Sequence, residues 1–387
     1  MKQFNYHQTT KIIFGSGRIA ELGEIAKSYG TKALLVTTPP NIPTLEEQYN
    51  RVKKILADAG IKVEHFDGVV PNPTVDCISE GAKIARNFGA DMVIGLGGGS
   101  SMDSAKAISV EATHPGTSWD YLFYKKQPDE KKLLPIIAVS TTSGTGSQVT
   151  QVAVVTNTLN RDKSALYNNI LYPKVCIIDP ELMLTVPKFV TATTGFDVFC
   201  HAFESTLHPG TSAYVNLLAW EAISIVVSTL PYLLNNLSDL EAREKMAWAD
   251  TLAGLCIANA GVTLPHGMGM AIGGMYPNVA HGESLAIVYP AFARFTWKYA
   301  IPQFAALARI FNKDFLRLPD DKAAEKSVEE LIKFLKKIDL WIKLKDKGMP
   351  ETEIHDLAKQ SMVLPDYKNN PKVATYEEMI MLVKESY

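Results

Sequence analysis

The stretch MVIGLGGGSSMDSAKAISV (residues 92–110) decides the fold class, because an apolar run passes through glycines into a helical pattern. Residues 92–96 predict a strand, and residues 101–110 predict a helix. The same alternation continues on both sides, with further strands predicted at 33–36, 61–66, 134–139 and 175–178. Strands separated by helices indicate right-handed βαβ units, and therefore an α/β domain built on a parallel sheet.

Beyond Val186 and Pro187 the pattern changes, because strand-like runs nearly vanish. Long helices are predicted at about 191–207, 212–234, 238–258, 291–311, 322–338 and 376–387. A chain of 387 residues is long for one compact core. We therefore predict two domains, an α/β domain at 1–187 and an all-helical domain at 188–387.

Composition excludes several classes of protein. The hydrophobic share is 47%, the charged share is 21% and the net charge is −2. These values argue against disorder, and they give no indication of nucleic acid or an anionic membrane as a partner. The first residues, MKQFNYHQTTKIIFG, lack the apolar core of a signal peptide, and the four cysteines form no CxxC pair. We expect a cytoplasmic enzyme.

Charge is absent from Thr251 to Gly282. A window of this length suggests a membrane span. The window nevertheless contains Pro265, His266 and Pro277 together with seven glycines, and this composition argues against a membrane span. We interpret it as part of a soluble interior that holds a functional loop.

Two polar loops follow neighbouring strands in the predicted sheet. Gly97–Ser100 opens a helix, and its glycines would let a pyrophosphate approach the helix N-terminus. Its spacing departs from GxGxxG at Ser100, so a tight turn is the alternative. The second loop, Ser140–Ser147, is rich in hydroxyl groups, and alone it would be read as a solvated loop. Together the two loops favour a nucleotide crevice.

One carboxylate and three imidazoles form a candidate metal site. Asp197 and His201 are four residues apart, so they share one face of a predicted helix. His266 and His281 lie in the charge-free window. Taken singly, each of these histidines is better explained as a core or surface residue, but the set suits Fe²⁺ or Zn²⁺.

Motifs along nearly the whole chain resemble those of the iron-containing (group III) alcohol dehydrogenases. They are Phe14-Gly15, Pro71-Asn-Pro73, GGGSSMDSAK (97–106), TTSGTGS (141–147), Asp179-Pro180, GFDVFCHAFE (195–204) and Pro265-His-Gly267. The resemblance implies the dehydroquinate synthase-like architecture, with metal and nicotinamide in a cleft between an α/β domain and a helical domain.

The resemblance also implies a site and a reaction. Four positions match the family's metal ligands: Asp197, His201, His266 and His281. Positions that match its dinucleotide site are Asn72, Gly97, Gly98, Gly99, Ser100, Asp103, Thr141, Thr142, Thr145 and Lys163, with Thr38 at the end of the first predicted strand. Fe²⁺, or alternatively Zn²⁺, would polarise the substrate oxygen while hydride passes between a small alcohol or aldehyde and NAD or NADP. Relatives are commonly dimers or larger homo-oligomers.

Four positions depart from the family pattern. Met270 replaces a histidine that often follows the third ligand, which removes one proton relay, and Gln148 replaces a glutamate. Thr38 replaces an aspartate that binds the ribose 2′-hydroxyl, so a 2′-phosphate is not repelled and NADP is permitted. Ile257 replaces an aromatic residue, which suggests a roomier alcohol pocket.

Other functions remain open at this point. The chain could act on a polyol or hydroxy acid, as glycerol dehydrogenases do, or it could be a non-catalytic sensor of metal or nucleotide. A dehydroquinate synthase-like lyase is a further alternative. The GGGS signature (97–100) favours the alcohol dehydrogenase branch over a branch with GGGK.

Overall fold

The computed structural model describes residues 2–387, which divide into two compact units. The first unit comprises His7–Pro187 and Leu237–Ala247. The second comprises Lys188–Asn236, Trp248–Tyr387 and the described residues up to Tyr6. The segment Leu237–Ala247 thus groups with the first unit, although in the sequence it lies well beyond the boundary expected at residue 187.

The first unit is built on a six-stranded sheet in which every neighbouring pair is parallel. Its strands are β1 (Lys11–Phe14), β2 (Lys32–Val36), β3 (Lys62–Phe66), β4 (Met92–Gly97), β5 (Ile136–Ser140) and β8 (Val175–Ile178). An antiparallel hairpin adds β6 (Val152–Asn157) and β7 (Asp162–Tyr167). Helices α1 (Leu22–Lys27), α2 (Pro43–Asp58), α3 (Val75–Phe88) and α4 (Gly99–Glu111) connect the strands. The predicted α/β domain with a parallel sheet is confirmed.

The strand order, β1-β8-β5-β4-β2-β3, creates a reversal in the middle of the sheet. From β2 the chain moves outward to β3, whereas from β4 it moves in the opposite direction to β5. The carboxyl ends of β2 and β4 therefore flank a crevice, the usual place for a ligand in an open α/β sheet. The two loops predicted to bind a nucleotide follow β4 and β5.

Both faces of the sheet are buried, and β2 shows how. Leu34 and Val36 belong to one apolar core, which includes residues of α3 and α4. Ala33 and Leu35 belong to the other, which includes residues of α1 and α2. Because side chains alternate along a strand, a strand covered on both faces reads as a continuous apolar run. This explains why β2, β4, β5 and β8 are recognisable in the sequence.

The second unit is helical. It contains α5 (Lys188–Leu207), α6 (Ala213–Leu233), the later part of α7 (Leu240–Asn259), α8 (Leu264–Met275), α9 (His281–Thr296), α10 (Ile301–Phe311), α11 (Asp320–Lys337), α12 (Ile354–Gln360) and α13 (Tyr376–Ser386). The single helix expected at 291–311 is two helices, separated by the 3-10 turn Trp297–Tyr299. Pro302 lies in the first turn of α10, where a missing N–H is tolerated.

The charge-free window forms helices where a functional loop was expected. All twelve residues of α8 are buried, and Pro265 lies in its first turn. Burial on every side stabilises this helix although glycines lower its intrinsic propensity. The pair α7 and α8 is apolar enough for a membrane span but is bent by 100°. Helix α6 is long and apolar enough to cross a membrane, with 33% of its most apolar window buried, a test that core helices also pass.

Candidate active site

Helix α5 carries two of the predicted metal ligands. Asp197 and His201 lie one turn apart, so both side chains point to the same side of the helix. Their side chains are only 3% and 7% exposed, and the distance from His201 Nε2 to Asp197 Oδ1 is 3.6 Å. A carboxylate and an imidazole are thus held together inside the protein, away from bulk water.

The other two predicted ligands come from the beginnings of α8 and α9. His266 Nε2 lies 3.6 Å from Asp197 Oδ1, and His281 Nε2 lies 3.9 Å from the same oxygen. The rings of His201 and His266 are stacked with centroids 4.7 Å apart. Ligand atoms of Asp197, His201 and His266 all lie within 4.8 Å of one another. His281, whose side chain is 23% exposed, forms the more open side of the group.

Two atoms at the centre of this group lack partners. Among the described residues, Asp197 Oδ1 and His266 Nε2 are fully buried and have no hydrogen-bond partner. A buried polar atom left in this state costs about 1–3 kcal/mol. A divalent cation would satisfy both atoms, and a carboxylate with imidazoles is a donor set that Fe²⁺ and Zn²⁺ accept. The residues present therefore fit a metal ion.

The electrostatics of the group agree with that fit. Burial alone would raise the pKa of Asp197, but the positive charge available on His201, His281 and His266 lowers it below its ordinary value. Burial likewise opposes protonation of His266, but Glu204 and Asp197 raise the pKa of this histidine. The site thus favours the ionised form of the Asp197 carboxylate and positive charge beside it, and a bound cation would supply that positive charge.

Glu204 orients His266. Its side chain is completely buried, and Oε1 accepts a hydrogen bond from His266 Nδ1 at 2.8 Å. Oε2 accepts from the Thr263 N–H at 2.8 Å, just before α8 begins. In the neutral imidazole this hydrogen bond keeps the proton on Nδ1 and leaves Nε2, which faces Asp197, available to bind a metal. Glu204 was absent from the predicted site residues, although it is the last residue of the DxxxHxxE spacing in α5.

A Glu204→Gln variant is expected to bind Fe²⁺ about 10–100-fold more weakly, because the partners of metal-bound histidines contribute this much to affinity. The amide retains one acceptor oxygen, so it cannot serve both His266 and Thr263. Titration of the metal-free protein with Fe²⁺ or Co²⁺ measures the effect. Glu221→Gln, at an exposed position in α6, is the matched control. Equal affinity in the two folded variants would contradict the orienting role of Glu204.

A second carboxyl group that the sequence did not indicate is Asp366, in the turn Pro365–Asn369. A Cβ added at Gly267 would lie 3.6 Å from Asp366 Cβ, so this turn packs on α8 beside His266. Burial raises the pKa of Asp366 to about 6, with His266 lowering it and Glu204 raising it. Met270, one turn after His266, is buried and presents no titratable group.

The glycines after β4 form a crowded junction with the second polar loop. Gly97 has φ 147°, a conformation that favours glycine, and Gly98 is the residue before α4. A Cβ at Gly98 would approach Thr142 Oγ1 to 2.9 Å, and a Cβ at Gly99 would approach Thr145 Cγ2 to 2.5 Å. The first turn of α4 carries no acidic residue. The helix terminus therefore suits an anionic group.

The remaining predicted dinucleotide residues lie at the carboxyl edge of the sheet, in a separate side-chain pair, and in the first turns of α4. Thr38 follows β2 and shares a hydrogen bond with the Tyr49 hydroxyl, and the Thr141 N–H donates to the last carbonyl of β4. The ends of β2, β4 and β5 thus bring these residues to one edge of the sheet. Asn72 and Lys163 form a separate pair, in which Lys163 Nζ donates to Asn72 Oδ1 at 2.8 Å.

Ser100 and Asp103 occupy the first turns of α4. Asp103 faces the interior of the unit, where Oδ1 accepts from Ser147 Oγ at 2.6 Å and Oδ2 accepts from the Val154 N–H at 3.0 Å. Its carboxylate therefore binds protein groups beneath the crevice.

Comparison with known proteins shows the family to which the chain belongs. The family model described as iron-containing alcohol dehydrogenase matches residues 9–180, and the C-terminal model of the Fe-containing alcohol dehydrogenase family matches residues 191–387. The chain is 31% identical over 376 residues to NAD-dependent methanol dehydrogenase of Bacillus methanolicus, covering 97% of each protein. It is 30% identical to 1,3-propanediol dehydrogenase of Klebsiella pneumoniae, covering 100% of this chain and 99% of that protein.

Among solved structures, an archaeal halo-thermophilic alcohol dehydrogenase from a Red Sea brine pool is 33% identical, with full coverage of both chains and a TM-score of 0.93. The fold and site define an oxidoreductase of the alcohol dehydrogenase class. The chain belongs to the iron-containing alcohol dehydrogenase family, which confirms the resemblance noted in its motifs. This family uses NAD(H) and iron.

Proposed function

We propose that this protein interconverts a small primary alcohol or diol and its aldehyde by hydride transfer, using Fe²⁺ held by Asp197, His201, His266 and His281. The convergence of three imidazole Nε2 atoms on one buried carboxylate oxygen carries this proposal. The relatives named for methanol and 1,3-propanediol support short alcohols as substrates. Zn²⁺ is accepted by the same donor set and is the second candidate metal.

We propose that the dinucleotide binds at the carboxyl ends of β2, β4 and β5, with its pyrophosphate on Gly97–Ser100. Asp103 acts beneath this site, and the pair Asn72 and Lys163 borders it. Because Thr38 stands where a carboxylate would repel a 2′-phosphate, both NAD and NADP are accepted. Residues 1–187 then serve the dinucleotide, and 188–387 serve the metal and the substrate.

The residues of this chain have separate roles in the reaction. Asp197 and the three histidines bind the metal, and Glu204 orients one of these histidines. Once bound, the metal supplies a Lewis acid for the substrate oxygen, and the nicotinamide supplies or accepts the hydride. The Met270 side chain has no group that can accept or donate a proton, so the alcohol proton must leave through solvent or another group. A cytoplasmic location and a homo-oligomeric state, dimer or larger, stay predictions.

Removal and return of the metal test this function. The protein is treated with a chelator and then given Fe²⁺ or Zn²⁺. Oxidation of NADH and NADPH is followed with short aldehydes. Reduction of NAD⁺ and NADP⁺ is followed with methanol, butanol, 1,3-propanediol and glycerol. We expect activity to fall at least 100-fold without metal and to return with Fe²⁺. Circular dichroism before and after chelation is the control for folding. Unchanged activity after chelation would refute the metal assignment, and turnover of glycerol alone would favour a polyol substrate.

A further inference from the structure

A lysine buried in α4 binds several oxygens of one chain segment. The Lys106 side chain is completely buried, and its Nζ donates to the carbonyl oxygens of Ser147, Thr150 and Val152 at 2.7, 2.9 and 2.7 Å. The hydroxyl oxygens of Ser147 and Thr150 lie 2.9 and 3.3 Å from the same nitrogen. This ammonium group therefore holds the segment that joins the hydroxyl-rich loop to β6.

Asp103, one turn earlier in α4, holds the same segment from the other side. Its carboxylate accepts from Ser147 Oγ and from the Val154 N–H. Burial raises the pKa of Asp103 above its ordinary value, although the positive charge of Lys106 opposes this rise. Burial also lowers the pKa of Lys106 to about 8, against the favourable charge of Asp103. Two buried charges contribute little net stability, because desolvation offsets much of their attraction.

The segment held by these two residues leads directly to the hydroxyl-rich loop, whose Thr142 and Thr145 pack against the glycines at the start of α4. The Ser147 N–H donates to Thr145 Oγ1 at 3.3 Å. The Thr145 side chain in turn covers Gly99, and Thr142 covers Gly98. Hydrogen bonds and packing thus lead without interruption from Lys106 and Asp103 through Ser147 to the first residue of α4.

We propose that Lys106 and Asp103 are positioning residues for the dinucleotide, because they set the place of Thr145 against Gly99 and thereby the width of the phosphate site. This inference rests on the proposed function, which assigns the pyrophosphate to that site. An ammonium group suits the role, because three carbonyl oxygens from different directions need three donors on one small centre. An apolar side chain of similar length would leave these oxygens without that donor.

The first test is Lys106→Met in the full-length, iron-loaded protein. Affinity for NADH is measured by the fluorescence change on binding, and steady-state rates are measured with varied cofactor. We expect the Kd and the KM for NADH to rise about 10–100-fold, with kcat at saturating NADH within about threefold of the unaltered protein. Iron affinity and the KM for aldehyde stay unchanged, because the metal ligands are in other elements. A folded variant with unchanged NADH affinity would overturn the proposal.

A milder variant keeps the test decisive if Lys106→Met does not fold. Ser147→Ala removes only the hydroxyl that Asp103 and Lys106 share, and we expect NADH to bind about 3–10-fold more weakly. Ile108→Val, in the apolar core on α4, is the control for a general loss of stability. Equal weakening of NADH binding by Ile108→Val and Ser147→Ala would overturn the positioning role.

A double-mutant cycle separates positioning from general stability. If Lys106 acts through Thr145, Lys106→Met has a smaller effect on NADH affinity in a Thr145→Ala background than in the unaltered protein. Full additivity would contradict the path through Thr145. Absence of NADH and NADPH binding by the unaltered protein would overturn the proposed function and this inference together, whereas normal binding by Lys106→Met would overturn this inference alone.

Discussion

An Asp197→Asn variant is expected to lose its iron, and its kcat/KM is expected to fall by about a thousandfold. The reason is that the Nε2 atoms of all three histidines lie within 4 Å of one oxygen of the Asp197 carboxylate. An amide has the same size but no charge, so it cannot balance a divalent cation in this buried place. A Lewis acid contributes several kcal/mol to the transition state, which corresponds to about this factor in rate.

Metal analysis of the purified variant and steady-state kinetics in added Fe²⁺ measure the two losses separately. Glu221→Gln, on an exposed face of α6, serves as the control for removal of a negative charge. NADH affinity is expected to stay normal in Asp197→Asn, since the predicted dinucleotide residues lie in the other unit. An iron-replete Asp197→Asn protein with ordinary activity would refute the assignment of Asp197 as a ligand.

Gly282→Ala is expected to lower both stability and metal affinity. A Cβ at Gly282 would lie 2.0 Å from the backbone oxygen of Thr193 and 2.6 Å from its carbonyl carbon. Backbone atoms cannot rotate away as a side chain can, so α9 and α5 must separate. Overpacking of this kind typically costs 1–3 kcal/mol and occasionally more, and we expect about 3 kcal/mol here. Because α5 carries Asp197 and α9 begins at His281, the ligands separate as well.

Gly267→Ala offers a closely matched control for Gly282→Ala. Gly267 also follows a predicted ligand, His266, near the start of a helix. A Cβ there would meet its nearest atom, the Ser361 oxygen, at 3.5 Å, which is ordinary contact. Thermal unfolding and Fe²⁺ titration compare the two variants. We expect Gly267→Ala to keep its melting temperature and iron affinity, and Gly282→Ala to lose several degrees and at least tenfold in affinity. Similar behaviour of the two variants would contradict the steric argument.

The parts of the site that could be predicted are those with short sequence spacing. Asp197 and His201 are separated by four residues, and helical geometry alone places them on one face. The approach of His266 and His281 to them depends on how α8 and α9 pack, which no local pattern encodes. These two were suggested as ligands by their place in the charge-free window and by the motif resemblance, and neither gives their distance from Asp197. Their assignment as ligands stays a prediction.

The same distinction holds for the fold. Strands buried on both faces were recognisable as apolar runs, whereas the edge strand β1 and the hairpin of β6 and β7 were not predicted. Lys163 and Asp162 lie inside β7, and such polar residues obscure a strand pattern. The glycines of α8 similarly concealed a helix that is stabilised by burial. Glu204, Asp366 and Lys106 were missed as functional residues because the partners of a buried charge are set by tertiary contacts.

The four predicted ligands come from three helices, of which α5 lies far along the chain from the neighbouring α8 and α9. A metal ion bound to them would therefore act as a cross-link, joining α5, α8 and α9 in a way that the unfolded chain cannot match. Metal binding would then add to the stability of the folded state according to the free metal concentration, by about 2.7 kcal/mol at a hundred times the Kd. Iron supply would thus influence the free energy of unfolding of the helical unit as well as the activity of the enzyme.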